Sequence, residues 1–270
     1  MVKKYFLSLI VTLAICTTAF GSVGVSVEDD FYTPNNITVA KGTTVVWTWN
    51  GRSSHSVTSG TPSAPTTTFN SGIMGSGSFS FTFNQVGTFP YFCMVHGTMM
   101  EGAVTVTCSN TTQILKNPGF ESGTIGWVST SQPSATGIIN KTTSFPPHSG
   151  QFKAQLNGKG FTNTQSISQT ITIPSGACSA SLSFFLRVAS TETGTVANDK
   201  LKVQILDNLG AVKKTLKVYS NLNKSAAYVK HSFNLLTFAG KTIKIRFLGT
   251  ENSTLKTTFL IDDTAVNITQ

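Results

Sequence analysis

The chain has 270 residues, a formal net charge of +9 at pH 7, 39% hydrophobic residues and 10% aromatic residues. This length is enough for two domains of ordinary size. Beyond the first 21 residues no run is apolar enough to span a membrane, and basic residues do not interleave with aromatic ones as on a nucleic-acid platform. We therefore expect no membrane-spanning segment beyond residues 1–21 and no nucleic-acid partner.

Residues 1–21 have the pattern of a secretory signal peptide. Two lysines precede an apolar run that continues to about Ile15, and Ala19-Phe20-Gly21 provides a small-x-small cleavage site. We therefore expect export, to a secreted, periplasmic or cell-surface location. Lipidation at Cys16 is disfavoured because Ile15 stands where a lipobox has Gly, Ala or Ser. An uncleaved leader would tether the chain, although it is short for a membrane span.

Residues 22–107 alternate apolar and polar side chains with a period of two, and no helical period is present. The alternating sets are Val23, Val25 and Val27; Val45, Trp47 and Trp49; and Phe79, Phe81 and Phe83. Clusters of Gly, Pro, Ser and Thr separate these sets. The pattern predicts short strands joined by turns.

A group of sulfur and nitrogen donors lies near the end of this region. Cys93, His96 and the pair Met99-Met100 fall within eight residues. Thiolate, imidazole and thioether suit copper better than magnesium or calcium. Phe89, Tyr91 and Cys93 alternate, so the thiol faces inward beside two aromatic rings. The segment predicts one half of a metal site.

The other half is expected from His55, which is the only other histidine in this region and follows a strong predicted strand. A lone buried Cys is usually a small hydrophobic residue, and a lone His near a strand end is usually structural. Four donors in this order, on a pattern of short strands, favour a metal site over those readings.

The order of His55, Cys93-x-x-His96 and Met100, ahead of Gly102 and a last strand, resembles the cupredoxin family of plastocyanin, amicyanin and azurin. The resemblance covers Val23 to Thr107. It implies a Greek-key β-barrel with type 1 copper bound by two His, one Cys and an axial Met. Either Met99 or Met100 is the axial ligand. The spacing to Gly102 favours Met100, because in several cupredoxins the axial Met lies two residues before this glycine.

The remaining cysteines and the charge mark a second half. Cys108 and Cys178 are left to form a disulfide, which an exported chain permits. Residues 22–107 hold two basic and four acidic residues, a net charge of −2, whereas residues 108–270 hold 16 basic and 7 acidic residues, a net charge of +9. A solvated face explains this excess; attraction to anionic polymer or envelope surfaces is the alternative.

Residues 108–270 also alternate with period two, and predict a β-sandwich. Asn117-Pro118-Gly119-Phe120-Glu121, the later His148-Ser149-Gly150 and the final Phe259-Leu260-Ile261-Asp262-Asp263 resemble galactose-binding-like jelly rolls, as in carbohydrate-binding modules. That resemblance implies a structural Ca²⁺ at Glu121 with Asp262 or Asp263, and hard oxygen donors fit this ion. The alternative is that these acids accept backbone N–H groups.

Other residues of this half give weaker signals. Trp127, Tyr219 and Tyr228 are the candidates for sugar stacking, and none forms a convincing platform. His148 and His231 have no Cys, His or carboxylate partner at ligand spacing, and are expected to be structural.

No catalytic residues are predicted. Neither half contains a Gly-x-Ser-x-Gly elbow, a His-Glu-x-x-His motif or a nearby pair of carboxylates in a strand context. The sequence therefore predicts a protein that is not an enzyme.

The leading hypothesis is an exported blue-copper electron carrier whose second domain, residues 108–270, attaches it to cell-surface polysaccharide or envelope. The family resemblance implies a redox partner docking near His96, on a patch of Met94, Val95 and Met99. Two alternatives stay open. One is a copper-handling protein without a redox partner, and the other is a carbohydrate-binding or adhesion protein with the first domain as scaffold.

Overall fold

A computed structural model describes residues 21–134 and 136–270. The chain divides into two compact units, Met1–Cys108 and Ser109–Gln270. The predicted leader lies outside the described residues, apart from its last residue. Among the described residues, no helix has the length and hydropathy to cross a membrane. Strands dominate both units, so the predicted all-β fold class is confirmed.

The described part of the first unit, residues 21–108, contains nine strands in two mixed sheets. The strands are β1 Ser22–Glu28, β2 Phe31–Thr33, β3 Asn36–Ala40, β4 Thr44–Trp49, β5 Thr58–Thr61, β6 Ala64–Asn70, β7 Ser78–Thr82, β8 Gly87–Cys93 and β9 Gly97–Thr107. One sheet has the order β2-β1-β4-β7 and the other β3-β9-β8-β5-β6. The pairs β1–β4 and β3–β9 are parallel, so neighbours in a sheet are often distant in sequence.

The core of the first unit is aromatic. Trp47 is fully buried and its ring packs against four others, those of Phe69, Phe79, Phe83 and Tyr91. The same cluster contains Cys93 and Met100. The predicted alternation places these residues inward because side chains two apart in a strand share a face.

The second unit is a sandwich of antiparallel sheets. Its strands are β10 Thr111–Gln113, β11 Val128–Gln132, β12 Ile139–Asn140, β13 Lys153–Asn157, β14 Asn163–Thr172, β15 Ser179–Ser190, β16 Lys200–Leu206, β17 Val212–Ser220, β18 Val229–Asn234, β19 Thr242–Glu251 and β20 Thr257–Thr269. One sheet has the order β12-β13-β20-β15-β18, with β10 beside β20; the other is β11-β14-β19-β16-β17. Short 3₁₀ helices span Asn221–Asn223 and Leu236–Phe238.

An aliphatic and aromatic core fills the space between these two sheets. Phe184, Phe247 and Phe259 are fully buried at its centre. Cys108 and Cys178 are both disulfide-bonded, which confirms the predicted pair.

Candidate metal centre

The predicted donors come from one strand end, one turn and one loop. Cys93 is the last residue of β8, and His96 lies in the turn before β9, where Gly97 has a φ of 58°. His55 is outside the named strands. Its backbone N–H donates to Met74 O at 2.9 Å and its carbonyl accepts from Met74 N at 2.8 Å. This bridge fixes the loop that carries His55.

The structure brings the two imidazoles and the thiol together. Cys93 Sγ lies 3.8 Å from His55 Nδ1 and 3.6 Å from His96 Nδ1. The three ligand atoms are all within 4.8 Å of one another. His55 and Cys93 are fully buried, whereas His96 is partly exposed. Across residues 21–134 and 136–270, this is the one group of three or more His, Cys, Asp or Glu side chains found with ligand atoms close enough to hold a metal.

The donor set fits copper. One thiol and two imidazole nitrogens, shielded from water on the thiol side, match the His₂Cys set of electron-transfer copper sites and lack the hard oxygen ligands that calcium and magnesium prefer. Both imidazoles present Nδ1 to the sulfur, so each ring has its Nε2 directed away from it. The three residues could therefore hold copper without rearrangement of the strands.

Ser56 supports the thiol, a role the sequence analysis missed. Its backbone N–H donates to Cys93 Sγ at 3.4 Å, and its hydroxyl accepts from Met94 N at 2.9 Å. This N–H and the hydroxyl connect the loop after His55 to both Cys93 and Met94. The sequence offered one signal for this role, which is that Ser56 directly follows the predicted ligand His55.

Burial separates the two methionines. Met100 is 1% exposed and belongs to the same core as Cys93, whereas Met99 is 78% exposed. A ligand to a buried site must itself face the core. Burial therefore favours the predicted choice of Met100 as axial ligand.

Two carboxylates that the sequence analysis did not assign lie beside the outer nitrogens. Asp29 Oδ1 is 3.6 Å from His55 Nε2, and Asp30 Oδ1 is 3.2 Å from His96 Nε2. Asp29 Oδ1 also accepts from the backbone N–H groups of Ser53 and Arg52 at 2.7 and 2.9 Å. The bond from Ser53 is the main cause that holds the pKa of Asp29 below its usual value.

The residues of the predicted docking patch are all exposed. Met94, Val95 and Met99 have more than half of their surface accessible. Met94 and Val95 directly precede His96, and Met99 N donates to His96 O at 3.2 Å. Apolar side chains are thus available next to the partly exposed imidazole.

The calcium candidates in the second unit accept hydrogen bonds from the protein. Glu121 accepts from Gln151 N and Phe152 N at 3.0 Å. Asp262 is fully buried and accepts from His148 N and Asp263 N at 2.8 Å. These contacts match the alternative in which the acids bind backbone N–H groups. Calcium at this position stays a prediction.

His148 corrects one expectation. Its Nδ1 lies 2.6 Å from Asp263 Oδ2, so it does have a carboxylate partner, supplied from a strand 115 positions later. Its ring also stacks on Phe185, with centroids 3.7 Å apart. Ser149 Oγ donates to Asp263 Oδ1 at 2.7 Å rather than to the imidazole, so the three side chains are not arranged as a nucleophile and base.

The candidates for sugar stacking are occupied within the second unit. Trp127 and Tyr219 are each 5% exposed and belong to the core. Tyr228 donates its hydroxyl proton to Pro146 O at 3.2 Å, and its ring contacts His148. Burial lowers the pKa of His231, which packs beside Tyr219 and Phe184. Trp127 and Tyr219 are therefore core residues, and Tyr228 is held by contacts within the second unit.

Comparison with known proteins agrees with the site in the first unit. Residues 21–107 match the family described as copper binding proteins, plastocyanin/azurin family. Among solved structures, the chain is similar to a novel purple cupredoxin from Nitrosopumilus maritimus, at 26% identity over 31% of this chain and 98% of that one, with a TM-score of 0.29. A Cu(I) form of an amicyanin mutant is 27% identical over 33% and 85%, with a TM-score of 0.29.

A third similar structure covers a larger share of this chain. TmCBM61 in complex with beta-1,4-galactotriose is 17% identical over 57% of this chain and 97% of that one, with a TM-score of 0.43. No curated protein matches the chain.

The fold and the His-Cys-His site define the class of the first unit: residues 21–107 are a cupredoxin domain with a copper-binding site, as the resemblance predicted.

Proposed function

We propose that the protein is an exported blue-copper electron-transfer protein. The observation that carries this proposal is the convergence of Cys93 Sγ, His55 Nδ1 and His96 Nδ1 within 4.8 Å in a cupredoxin domain. His55, Cys93 and His96 would hold the metal, with Met100 as axial ligand. Copper bound there would supply a one-electron couple between Cu(II) and Cu(I).

The chain's own contribution is a site that is already arranged. The backbone bridge to Met74 fixes His55, the β8–β9 turn fixes Cys93 and His96, and Ser56 N–H faces the sulfur. A preformed set of donors lowers the reorganisation that accompanies a change in charge. His96 is the partly exposed ligand, so its edge is the proposed route for the electron to a redox partner that docks on Met94, Val95 and Met99.

An absorption and EPR spectrum of the copper-loaded mature protein tests this proposal. We expect an intense thiolate-to-copper band with a narrow copper hyperfine splitting, and a reversible one-electron wave in voltammetry. A colourless copper complex, or a protein that binds zinc alone, would contradict it. A blue protein without a reversible wave would instead favour the second candidate, a copper-handling protein with no redox partner.

We propose a separate role for residues 108–270, which is attachment to an anionic polymer of the cell surface. The supporting observation is the outer face of the sheet that contains β16 and β19. Leu201, Val203 and Ile245 face the core, so the intervening residues of both strands face outward. The outward cations are Lys200, Lys202, Lys244 and Arg246.

Uncharged polar side chains lie next to these cations. Strand register places Arg246 between Gln204 on β16 and Ser168 on β14. Arg246 donates to Gln204 Oε1 from both Nε and Nη2, at 3.2 and 2.7 Å, which holds the guanidinium along the sheet. Among the strands of this sheet, all described in the structure, the single acidic residue is Glu251, and it is buried.

Retention of the full chain on immobilised polyuronate tests the attachment role. The triple variant Lys202→Gln, Lys244→Gln, Arg246→Gln should bind about tenfold more weakly, because an exposed ion pair contributes roughly 0.5 kcal/mol. The matched control changes Lys141, Lys230 and Lys256 to Gln, which removes the same charge from positions in or next to strands of the other sheet. Equal losses in both triples would leave only a nonspecific charge effect. Preferred binding to neutral galactan would favour the carbohydrate-binding alternative.

A further inference from the structure

We propose that the turn Asp29-Asp30 positions both histidines of the metal centre, and that Asp30 determines which ring nitrogen of neutral His96 bears the proton. This inference rests on the proposed function, in which both rings bind copper through Nδ1. The two carboxylates are consecutive in the chain, yet each lies beside the Nε2 of a different imidazole, at 3.6 Å from His55 and 3.2 Å from His96. One short turn therefore reaches the outer edge of both rings.

The Asp29 half of the turn is built into the fold. His55 Nε2 is buried and has no hydrogen-bond partner, and the Asp29 carboxylate lies 3.6 Å from it. Backbone N–H groups of Arg52 and Ser53 hold the Asp29 oxygen in place. The chain also passes close at Gly51, where an added Cβ would lie 2.7 Å from both Asp29 N and Oδ1. A side chain at position 51 would push this carboxylate away.

The Asp30 half reaches the ligand that faces solvent. Asp30 has a φ of 69°, in the left-handed region that Asp, Asn and Gly tolerate best. Its side chain is 74% exposed, yet it lies over His96, whose side chain is 21% exposed. The contact of 3.2 Å between Asp30 Oδ1 and His96 Nε2 therefore forms at the solvent-facing edge of the metal centre.

The chemical consequence follows from which nitrogen bears the proton. A carboxylate next to Nε2 favours the tautomer with Nε2–H, which leaves the Nδ1 lone pair for the metal. The negative charge also stabilises Cu(II) relative to Cu(I), because the oxidised ion has the larger positive charge. Asp30 thus acts through His96 as a positioning residue, at the same edge by which the electron is proposed to pass.

Variants at position 30 can separate the two effects without straining the backbone. Asp30→Asn removes the charge and keeps an acceptor oxygen, whereas Asp30→Gly removes both, and each residue accepts a positive φ. Glu28→Gln is the matched control, because Glu28 is two residues away and accepts from Ser26 Oγ at 2.5 Å rather than from an imidazole.

The first measurement uses the protein without copper. Nitrogen-15 spectra of the neutral His96 ring should show Nε2–H in the wild type and in Glu28→Gln, and a shift toward Nδ1–H in Asp30→Gly. This readout does not depend on whether the site is blue. An unchanged His96 tautomer in Asp30→Gly overturns the positioning role, even if the proposed electron-transfer function is correct.

The second measurement is the reduction potential of the copper form at one fixed pH. Asp30→Asn and Asp30→Gly should raise the ratio of Cu(I) to Cu(II) affinity about threefold to tenfold, which is a rise of about 30 to 60 mV for one electron. Asp30→Gly should also lower copper affinity by about tenfold, as loss of an outer partner of a ligand histidine typically does. A potential in Asp30→Asn equal to that of Glu28→Gln overturns the charge effect. A wild type that is not blue refutes the proposed function and leaves the tautomer test valid.

Discussion

In the first unit His55 and Cys93 are fully buried, with their ligand atoms 3.8 Å apart. In the second unit Glu251 is also buried, but its carboxylate accepts from Lys159 N, Gly160 N, Asn163 Nδ2 and Thr257 N at 2.6 to 3.3 Å. Both units bury ionisable side chains in an all-β core. They differ in what the buried polar atoms contact: His55 and Cys93 contact each other, whereas the Glu251 carboxylate contacts N–H donors of the surrounding chain.

This difference separates a ligand site from a structural one. A buried group whose lone pairs are all used by N–H donors has nothing left for a metal, whereas ligand atoms that mainly contact one another can exchange those contacts for a shared metal ion. Burial alone would have marked Lys153 as well, yet its ammonium donates to Asn140 Oδ1 and to both Thr142 oxygens at 3.0 to 3.2 Å. The convergence of three ligand atoms on one another, rather than burial alone, indicates function.

Among the changes considered, replacing the Cys93 thiol should have the largest effect on the metal centre. Cys93→Ser should abolish the blue colour entirely, because hydroxyl oxygen cannot replace thiolate in the charge-transfer band. The fold should be retained, as shown by circular dichroism. A double Cys108→Ser, Cys178→Ser variant is the control: it should keep the colour but lose about 4 kcal/mol of stability. A Cys93→Ser protein that remains blue would contradict the assignment of the site.

Removing a fully used carboxylate should affect stability and leave the metal centre alone. Glu251→Ala leaves four donors in a buried place without an acceptor, and we expect the free energy of unfolding to fall by about 3 kcal/mol. Urea denaturation measures this loss. Glu101→Ala, at an exposed position, should cost less than about 0.5 kcal/mol. A change in the copper spectrum on Glu251→Ala would show that the buried Glu251 carboxylate and the metal centre are not independent.

The pH dependence of stability should distinguish Asp262 from Asp207. Burial raises the pKa of Asp262 to about 6. Since this is above its value in the unfolded chain, the protonated form favours the folded state, and that stability is lost as pH rises from about 4 to above 6. Asp262→Asn should remove this dependence, which is about 2 to 3 kcal/mol.

Asp207 provides a control with the opposite sign. The hydrogen bond from Lys213 is the main cause that lowers the pKa of Asp207, so its contribution is present at neutral pH and is lost as pH falls below its folded pKa. Denaturation curves between pH 3 and pH 7 should therefore change in opposite directions in Asp207→Asn and Asp262→Asn. Parallel curves would refute the role given to burial of Asp262.

The axial ligand should give the smallest effect. Met100→Leu should keep the blue colour and raise the reduction potential, on the order of a tenfold change in the Cu(I) to Cu(II) affinity ratio, or about 60 mV, because a weak thioether tunes potential more than it holds the metal. Met99→Leu should change the potential little, since Met99 is exposed. The reverse result would mean that the alignment to Gly102 is off by one residue.

Sequence by itself predicted the fold class, the three converging donors His55, Cys93 and His96, and the disulfide partners. Period-two alternation defined the strands, and the order of His55, Cys93, His96 and a methionine is readable because ligand chemistry belongs to the residue type. The alternation could also have chosen between the methionines: Met100 has the same parity as Val104 and Val106, which face the core. These features depend on the chemistry and spacing of residues that are close in sequence.

Tertiary structure alone placed Asp29 and Asp30 beside the imidazoles and gave His148 its partner. The distances from Asp30 to His96 and from His148 to Asp263 join residues 66 and 115 positions apart. Such contacts depend on strand register and on the φ of 69° at Asp30, and neither quantity is encoded in local residue type. For the same reason the acids expected to bind calcium were recognisable as a group, while only their positions in the folded chain revealed that backbone N–H groups already occupy their oxygens.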